Sequence, residues 1–266
     1  MMHKGFRIEN KDKVARLILD RPERHNAFDD ALIADLTTAL ENLNRDLSVR
    51  VVILAAEGAS FSAGGDLSWM QRAAKYDAAQ NLADAQALAK LMATLNGMHK
   101  PTIAAIQGPA YGGGCGLIAA CDIAIAASGA VFALTEVRLG LIPAVIGPYV
   151  VRAIGQRQAR RLFLTAERFS AEEAHRIGFI HEVTTAEGLQ SAIDKLVNLL
   201  LQGGPQALGE AKQLIQKLAD PGGGPKQADA MARKIAAMRQ TPEGQEGIAA
   251  FLEKRKPAWI EDDKNK

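Results

Sequence analysis

Three short apolar runs constrain the fold most: Val51 to Ala56, Thr102 to Ile106 and Ile123 to Ala126. Each is short for a helix and carries no charge, as a strand covered on both faces does. Between the first two, Gln80 to Leu95 repeats Leu82, Ala85, Leu88, Leu91, Met92 and Leu95 at helical spacing. Upstream, Val14 to Leu19 is another strand-like run, closed by the turn signal Asp20-Arg21-Pro22. It is followed by Phe28 to Leu43, with Phe28, Leu32, Leu36, Ala39, Leu40 and Leu43 on one helical stripe. Asp29 and Asp30 stand in its first turn, where the helix dipole favours negative charge. Strands alternating with helices predict an α/β domain with largely parallel strands.

After Gly140 the strand-like runs stop and helical patterns take over. Ser170-Ala171-Glu172-Glu173 fits a capping box, with Gly178 placed to close that helix. Leu189 to Leu201, Ala207 to Leu218, Ala228 to Met238 and Gly247 to Lys254 read as further helices, and Asp220 to Pro225 as a breaking loop. We expect a seam near Asp194, between an α/β core over 1–194 that carries the site and a helical region over 195–266.

The 266 residues are 48% hydrophobic and 23% charged, which excludes a disordered, collagen-like or disulfide-scaffold chain. A net charge of +2 predicts neither a nucleic-acid partner nor a membrane-surface one. Cys115 and Cys121 imply no disulfide framework, which favours a reducing compartment, here read as the cytoplasm. Met1 to Asn10 lacks the apolar stretch of a secretory signal. The most apolar run, Pro101 to Ala127, holds five glycines, Gln107 and Asp122, so no transmembrane helix is expected.

Two glycine-bearing segments each follow an apolar run: Phe61-Ser62-Ala63-Gly64-Gly65-Asp66-Leu67, and Gly108 to Leu117 with Gly112, Gly113, Gly114 and Gly116. Glycine at a helix start costs about 1 kcal/mol per residue relative to alanine, so this density requires a reason. Plain turn geometry is one. A backbone that must approach a ligand is another. Two such turns on neighbouring strands would aim two peptide N–H groups at one oxygen, as in an oxyanion hole. Phosphate cradling fits poorly: the Gly-Lys-Ser/Thr ending is absent, and so is the last glycine of a dinucleotide fingerprint.

Downstream, Glu136 stands in a mostly apolar stretch. Partial desolvation there would raise its pKa, as a proton-shuttling group needs. The alternative is a structural ion pair with Arg138 or a strand-end charge. The histidines (His3, His25, His99, His175, His181) and cysteines show no metal-ligand spacing, so no metal is expected. Ser62 and Ser68 lack a serine-hydrolase elbow.

These residues resemble the crotonase, or enoyl-CoA hydratase/isomerase, superfamily over nearly the whole chain. Arg21 to Ala27 is similar to its first CoA-binding turn. Phe61 to Leu67 and Tyr111 to Gly116, followed by Ala120-Cys121-Asp122-Ile123, resemble its two oxyanion loops. Glu136 to Pro143 resembles its catalytic-acid segment, and Ser170 to Gly178 and Phe251 to Pro257 fit as well. The resemblance implies a crotonase (ClpP-like) spiral of ββα units with a C-terminal helical trimerisation region. It implies an acyl-CoA thioester as substrate, no cofactor beyond that CoA, and a homotrimer or dimer of trimers. Gly65 and Gly113 would hold the thioester oxygen through their amides, with Glu136 as acid/base. Arg24, Ala27, Ala63, Asp66, Leu67, Ser68 and Trp69 would line the substrate channel. Phe251 and Lys254 resemble a pair that encloses the nucleotide end, often from a neighbouring subunit.

Two departures shape the expected chemistry. Relatives commonly place a second glutamate where Gly116 stands, and a glycine-rich stretch where this chain has Ala144-Val145-Ile146-Gly147-Pro148-Tyr149. Gly116, Val145 and Tyr149 would then shape the acyl pocket. With Asp66-Leu67-Ser68-Trp69-Met70 these features resemble the methylglutaconyl-CoA and isohexenylglutaconyl-CoA hydratases, which act on branched, carboxylated chains. Arg138 or Arg72 would be placed to neutralise such a carboxylate, unless each is only a surface charge. The expected reaction is hydration of a 2-enoyl-CoA by a single glutamate. The alternatives are isomerisation of a 3-enoyl-CoA and a non-catalytic CoA-ester- or RNA-binding relative.

Overall fold

The computed structural model describes residues 5–218 and 225–260. It opens with an antiparallel hairpin, β1 (Phe6–Lys11) and β2 (Val14–Leu19). The two turn residues, Asp12 and Lys13, both have positive φ, 48° and 67°, which matches the twist of the flanking strands. A 3-10 turn over Pro22–Arg24 leads to α1 (Asp30–Arg45). Asp29 caps α1 by accepting the Leu32 N–H at 2.9 Å. Next come β3 (Val51–Ala56), α2 (Leu67–Ala73) and α3 (Ala78–Asn96), the last starting in a full capping box from Asp77 and Gln80.

The second half of the core runs β4 (Thr102–Ile106), β5 (Ala110–Tyr111), α4 (Gly113–Ala120), β6 (Ile123–Ala127) and β7 (Val131–Ala133). A 3-10 turn over Glu136–Leu139 follows, then α5 (Gly147–Thr165), β8 (Phe169–Ser170), α6 (Ala171–Arg176) and β9 (Glu182–Thr184). Helices α7 (Leu189–Gln202), α8 (Pro205–Leu218), α9 (Pro225–Gln240) and α10 (Pro242–Leu252) complete the described chain.

The strands form two sheets rather than one open parallel sheet. The larger has the order β1-β2-β3-β4-β6-β9 and the smaller β5-β7-β8. From β2 to β9 every pairing in the large sheet is parallel. The chain leaves the large sheet at β4 and β6 to enter the small one at β5 and β7, and returns from β8 through α6 to β9. From β4 onward each turn thus contributes a strand to each layer, as expected for a spiral of ββα units. The large sheet is covered on both faces. Leu17, Leu19, Val52, Leu54, Ala104 and Ile106 belong to the main core with α1, α3 and α4. Ile18, Val51, Ile53, Ile103 and Ile125 pack with Leu189, Ala192, Ile193 and Val197 of α7. Two-sided cover is why these strands read as unbroken apolar runs.

Several expectations change. Strands do continue after Gly140, but β8 and β9 have only two and three residues, too few to show a period. The seam expected at 194 falls inside α7, which packs on the sheet; the passage to the helical tail comes after it, at Gly203-Gly204. Ser170 does cap α6, but Glu173 does not reach back: its carboxylate binds Arg161 and Arg176 instead. Gly178 closes that helix with φ +81°, as expected. The stripe on α3 is buried only at Leu91, Met92 and Leu95; Leu82 is 60% exposed because the first turns of the helix stand clear of the core. The breaker cluster lies outside the described residues, except Pro225, where α9 begins. Among the described residues no helix is long and apolar enough to cross a membrane.

Candidate active site

The two glycine loops are stitched together by main chain. Ser62 and Ala110 form a parallel bridge, the Phe61 amide donates to Pro109 O at 2.9 Å, and the Tyr111 amide donates to Ser62 O at 2.9 Å. Ser62 is fully buried, and its hydroxyl donates to Asn26 O at 2.9 Å and accepts the Gly64 N–H at 3.2 Å. Asn26, itself buried, donates from its side-chain amide to Glu57 O and Ser60 O at 2.7 and 2.8 Å. Phe28 pins the loop further on: its N–H donates to Gly64 O at 2.8 Å, and its carbonyl accepts the Asp66 N–H at 3.0 Å. A loop held at so many points is a preorganised one.

Between those bonds the Gly65 amide has no acceptor among the described residues, and neither has the Gly113 amide, the first of α4. The loops meet at Gly64, which has φ +85°; a methyl there would lie 2.8 Å from Tyr111 O and 3.3 Å from Gly113 N. A methyl on Gly113 would lie 2.5 Å from Phe28 Cζ. A side chain at Gly64 would push the loops apart and one at Gly113 would run into the Phe28 ring, which is the physical demand behind these glycines.

Glu136 starts the 3-10 turn beside Gly112, with Oε1 3.4 Å from where a Gly112 methyl would stand. It makes no ion pair with Arg138. Its Oε2 is buried and has no hydrogen-bond partner among the described residues. Burial pushes its pKa above the ordinary carboxylate range, against a smaller opposing effect of its own amide. A buried carboxylate oxygen left without a donor is costly and points to a ligand as the missing partner. Gly116 is closely covered by Ile146 and Met92. A methyl there would lie 2.2 Å from Ile146 Cγ2, 2.9 Å from Ile146 Cβ and 3.2 Å from Met92 Cε. The space beside Gly116, where the resemblance implies a second glutamate in relatives, is filled by Ile146, which follows the half-buried Val145.

Asp66 caps α2, accepting the amides of Ser68 and Trp69 at 2.9 and 3.2 Å and the Arg24 guanidinium at 3.0 Å. Burial would raise its pKa, but the Trp69 amide, Arg24 and the Ser68 amide outweigh it and hold the group below the usual range. The Trp69 ring covers Gly65, 3.3 Å from a methyl there, and its indole N–H is held by Asp84 at 2.9 Å. Ala27 is buried and Ala63 half-buried in the same cluster, while Leu67 and Ser68 are exposed at its rim. Arg72 is occupied by Asp30 at 2.6 Å.

Three expected residues are not brought to this cluster. Tyr149 lines a separate cavity of about 820 Å³ between α4, α5 and α8. Phe251 is 83% exposed and lines a cavity of about 400 Å³ within the helical tail, and Lys254 is exposed just beyond α10. The sequence placed Asn26 and Ile146 only within the segments Arg21 to Ala27 and Ala144 to Tyr149, and Phe28 only on a helical stripe; that these three hold or shape the site is shown by their contacts, Asn26 being buried and at φ +53°. Cys115 and Cys121 are free and buried, which pushes both thiols up, Cys121 to about 12. Among the described residues no three metal-ligating side chains come together.

Comparison with known proteins shows the family. The profile of the enoyl-CoA hydratase/isomerase family matches residues 9–262. An enoyl-CoA hydratase structure from Shewanella pealeana superimposes with a TM-score of 0.93 at 46% identity, covering 96% of this chain and 95% of that one. A crotonyl-CoA hydratase of Syntrophomonas wolfei is 34% identical over 98% of this chain and 99% of its own length. A 2,3-dehydroadipyl-CoA hydratase of Escherichia coli is 32% identical over 94% and 96%. With its spiral of two sheets, its paired glycine loops and its buried glutamate, this chain belongs to the enoyl-CoA hydratase/isomerase family, the crotonase superfamily.

Proposed function

We propose that the protein adds water across the 2,3 double bond of a 2-enoyl-CoA, with Glu136 as the single proton-transfer group. The observation that carries this reading is the buried, partnerless Oε2 of Glu136, whose carboxylate lies beside Gly112 of the second glycine loop, together with the Gly65 and Gly113 amides, which also lack acceptors among the described residues. The Gly65 and Gly113 amides hold the thioester oxygen. The Glu136 carboxylate takes a proton from water as the water oxygen bonds to Cβ, and the displaced electron pair moves onto the thioester oxygen. The enolate then collapses, Cα takes the proton back from Glu136, and the carboxylate is restored. Amide donors aimed at developing charge are each worth about 2.7–4 kcal/mol of barrier. The step requires no cofactor beyond the substrate's CoA.

The filled wall at Gly116 supports a second reading, in which Glu136 relays a proton between carbons and isomerises a 3-enoyl-CoA. Following the conjugated-thioester absorbance separates the two. Loss of signal with a 2-enoyl-CoA, abolished in Glu136→Gln, supports hydration. No loss with any 2-enoyl-CoA, but a gain with a 3-enoyl-CoA, would overturn it in favour of isomerisation.

The acyl chain we favour is branched or carboxylated, of the methylglutaconyl or isohexenylglutaconyl type. Support comes from Gly116, which leaves no negative charge where relatives carry a second glutamate, and from the relative whose name specifies a dicarboxylic acyl group. We also favour a homotrimer or dimer of trimers in the cytoplasm. In that assembly Phe251 and Lys254, which stand apart from the site in one subunit, would close the site of another. The near-neutral charge argues against an RNA-binding role.

A further inference from the structure

We propose that Arg138 and Arg168 form an oxyanion subsite next to Glu136 that holds an anionic group of the substrate, a reading that rests on a CoA thioester lying across the glycine loops. A cavity of about 190 Å³ is lined by Ala63, Tyr111, Thr135, Arg138, Ala166 and Arg168. Ala63 belongs to the first glycine loop, Tyr111 directly precedes Gly112 in the second, and Thr135 directly precedes Glu136. The cavity therefore borders all three segments that build the site. It is too small for a whole acyl-CoA and suits one charged group.

Neither arginine has a carboxylate partner among the described residues, whereas Arg72 binds Asp30 at 2.6 Å and Arg161 binds Glu173 at 2.7 Å. The acid next to Arg168 in sequence, Glu167, is taken by Arg161 at 2.8 Å, so it does not neutralise this pair. Arg168 is placed by stacking, its Cζ 5.6 Å from the centroid of the Tyr111 ring. The strand it enters is anchored by Phe169, packed on Phe132 and Phe179 at centroid separations of 5.5 and 5.8 Å. Two unpaired guanidinium groups at one concave site match the planar, bidentate recognition of a carboxylate or phosphate. Both chemistries are present in such a substrate, as a carboxylate on the acyl chain or as a phosphate of CoA.

The experiment measures binding of unreactive saturated thioesters to the full chain by calorimetry. The ligands are butyryl-CoA, glutaryl-CoA and butyryl-pantetheine, and the proteins are wild type, the double variant Arg138→Ala with Arg168→Ala, and Arg168→Lys. If the subsite takes an acyl carboxylate, the double variant loses about tenfold or more for glutaryl-CoA alone, the effect of a hydrogen bond to a charged group. If it takes a CoA phosphate, both CoA esters weaken together and the pantetheine ester does not. Arg168→Lys keeps the charge and recovers part of the loss without the bidentate geometry. Equal binding of all three ligands by wild type and double variant overturns the subsite while leaving the thioester reading intact. A wild-type protein that binds none of the three overturns both.

Discussion

Gly116 lies within α4 at ordinary helical geometry, so helix propensity alone makes Gly116→Ala stabilising by about 0.5–1 kcal/mol. Packing predicts the opposite sign. The added methyl would stand 2.2 Å from Ile146 Cγ2, in a core where Ile146 is 3% exposed and cannot step aside into solvent. Overpacking of this kind costs about 1–3 kcal/mol, so the variant should lose about 1 kcal/mol net, or about 2–4 °C in Tm. In an Ile146→Ala background, itself about 2–5 kcal/mol less stable, the 2.2 Å contact is gone and there remain the Cβ contact at 2.9 Å and that with the flexible end of Met92 at 3.2 Å. There Gly116→Ala should become neutral or stabilising, giving a coupling energy of about 1–3 kcal/mol between the two sites. Denaturant unfolding of the four proteins of the cycle, at matched m-values, reads it directly. If Gly116→Ala stabilises wild type as much as it stabilises Ile146→Ala, Ile146 does not occupy the second-carboxylate position and the single-glutamate mechanism loses its structural basis.

Glu136→Gln should lower kcat by about 10²- to 10⁴-fold with the fold unchanged by circular dichroism. In wild type the acid limb of kcat/KM should lie above the ordinary carboxylate range, because burial raises the Glu136 pKa and the base must be ionised. The same shift has a stability sign: the contribution of a group whose folded pKa is raised is whole at low pH and lost as pH rises through that value. Glu136→Gln should therefore gain stability over wild type at neutral pH and lose that advantage below the carboxylate range; a difference flat in pH would contradict the burial. Asp66→Ala should cost about 1 kcal/mol from the α2 cap, with little added from the half-exposed Arg24 pair. Because the Asp66 pKa is lowered, that difference should be present at neutral pH and shrink as pH falls through the lowered value, with Asp66→Asn retaining much of the cap. Gly64→Ala combines φ +85° with a backbone contact of 2.8 Å and should cost about 2 kcal/mol or more, read as a drop in Tm together with loss of turnover.

The amino-acid sequence alone located β2, β3, β4 and β6 and the helices α1 and α3, because two-sided burial and a 3.6-residue stripe leave patterns several residues long. It also singled out both glycine loops and Glu136, since glycine at a helix start and a lone acid among apolar residues each carry a visible cost. It did not yield β1, a charged edge strand, or β8 and β9, whose few residues hold no period. Which glycine amide stays without an acceptor, whether Glu136 pairs with Arg138 and what fills the space at Gly116 were decided only in three dimensions. Those outcomes depend on contacts between segments far apart in the chain: Ser62 with Ala110, Phe28 with Gly64 and Gly113, Gly116 with Ile146. Local pattern records the face a residue must bury, whereas the partner it meets there is fixed by how the spiral brings its turns together.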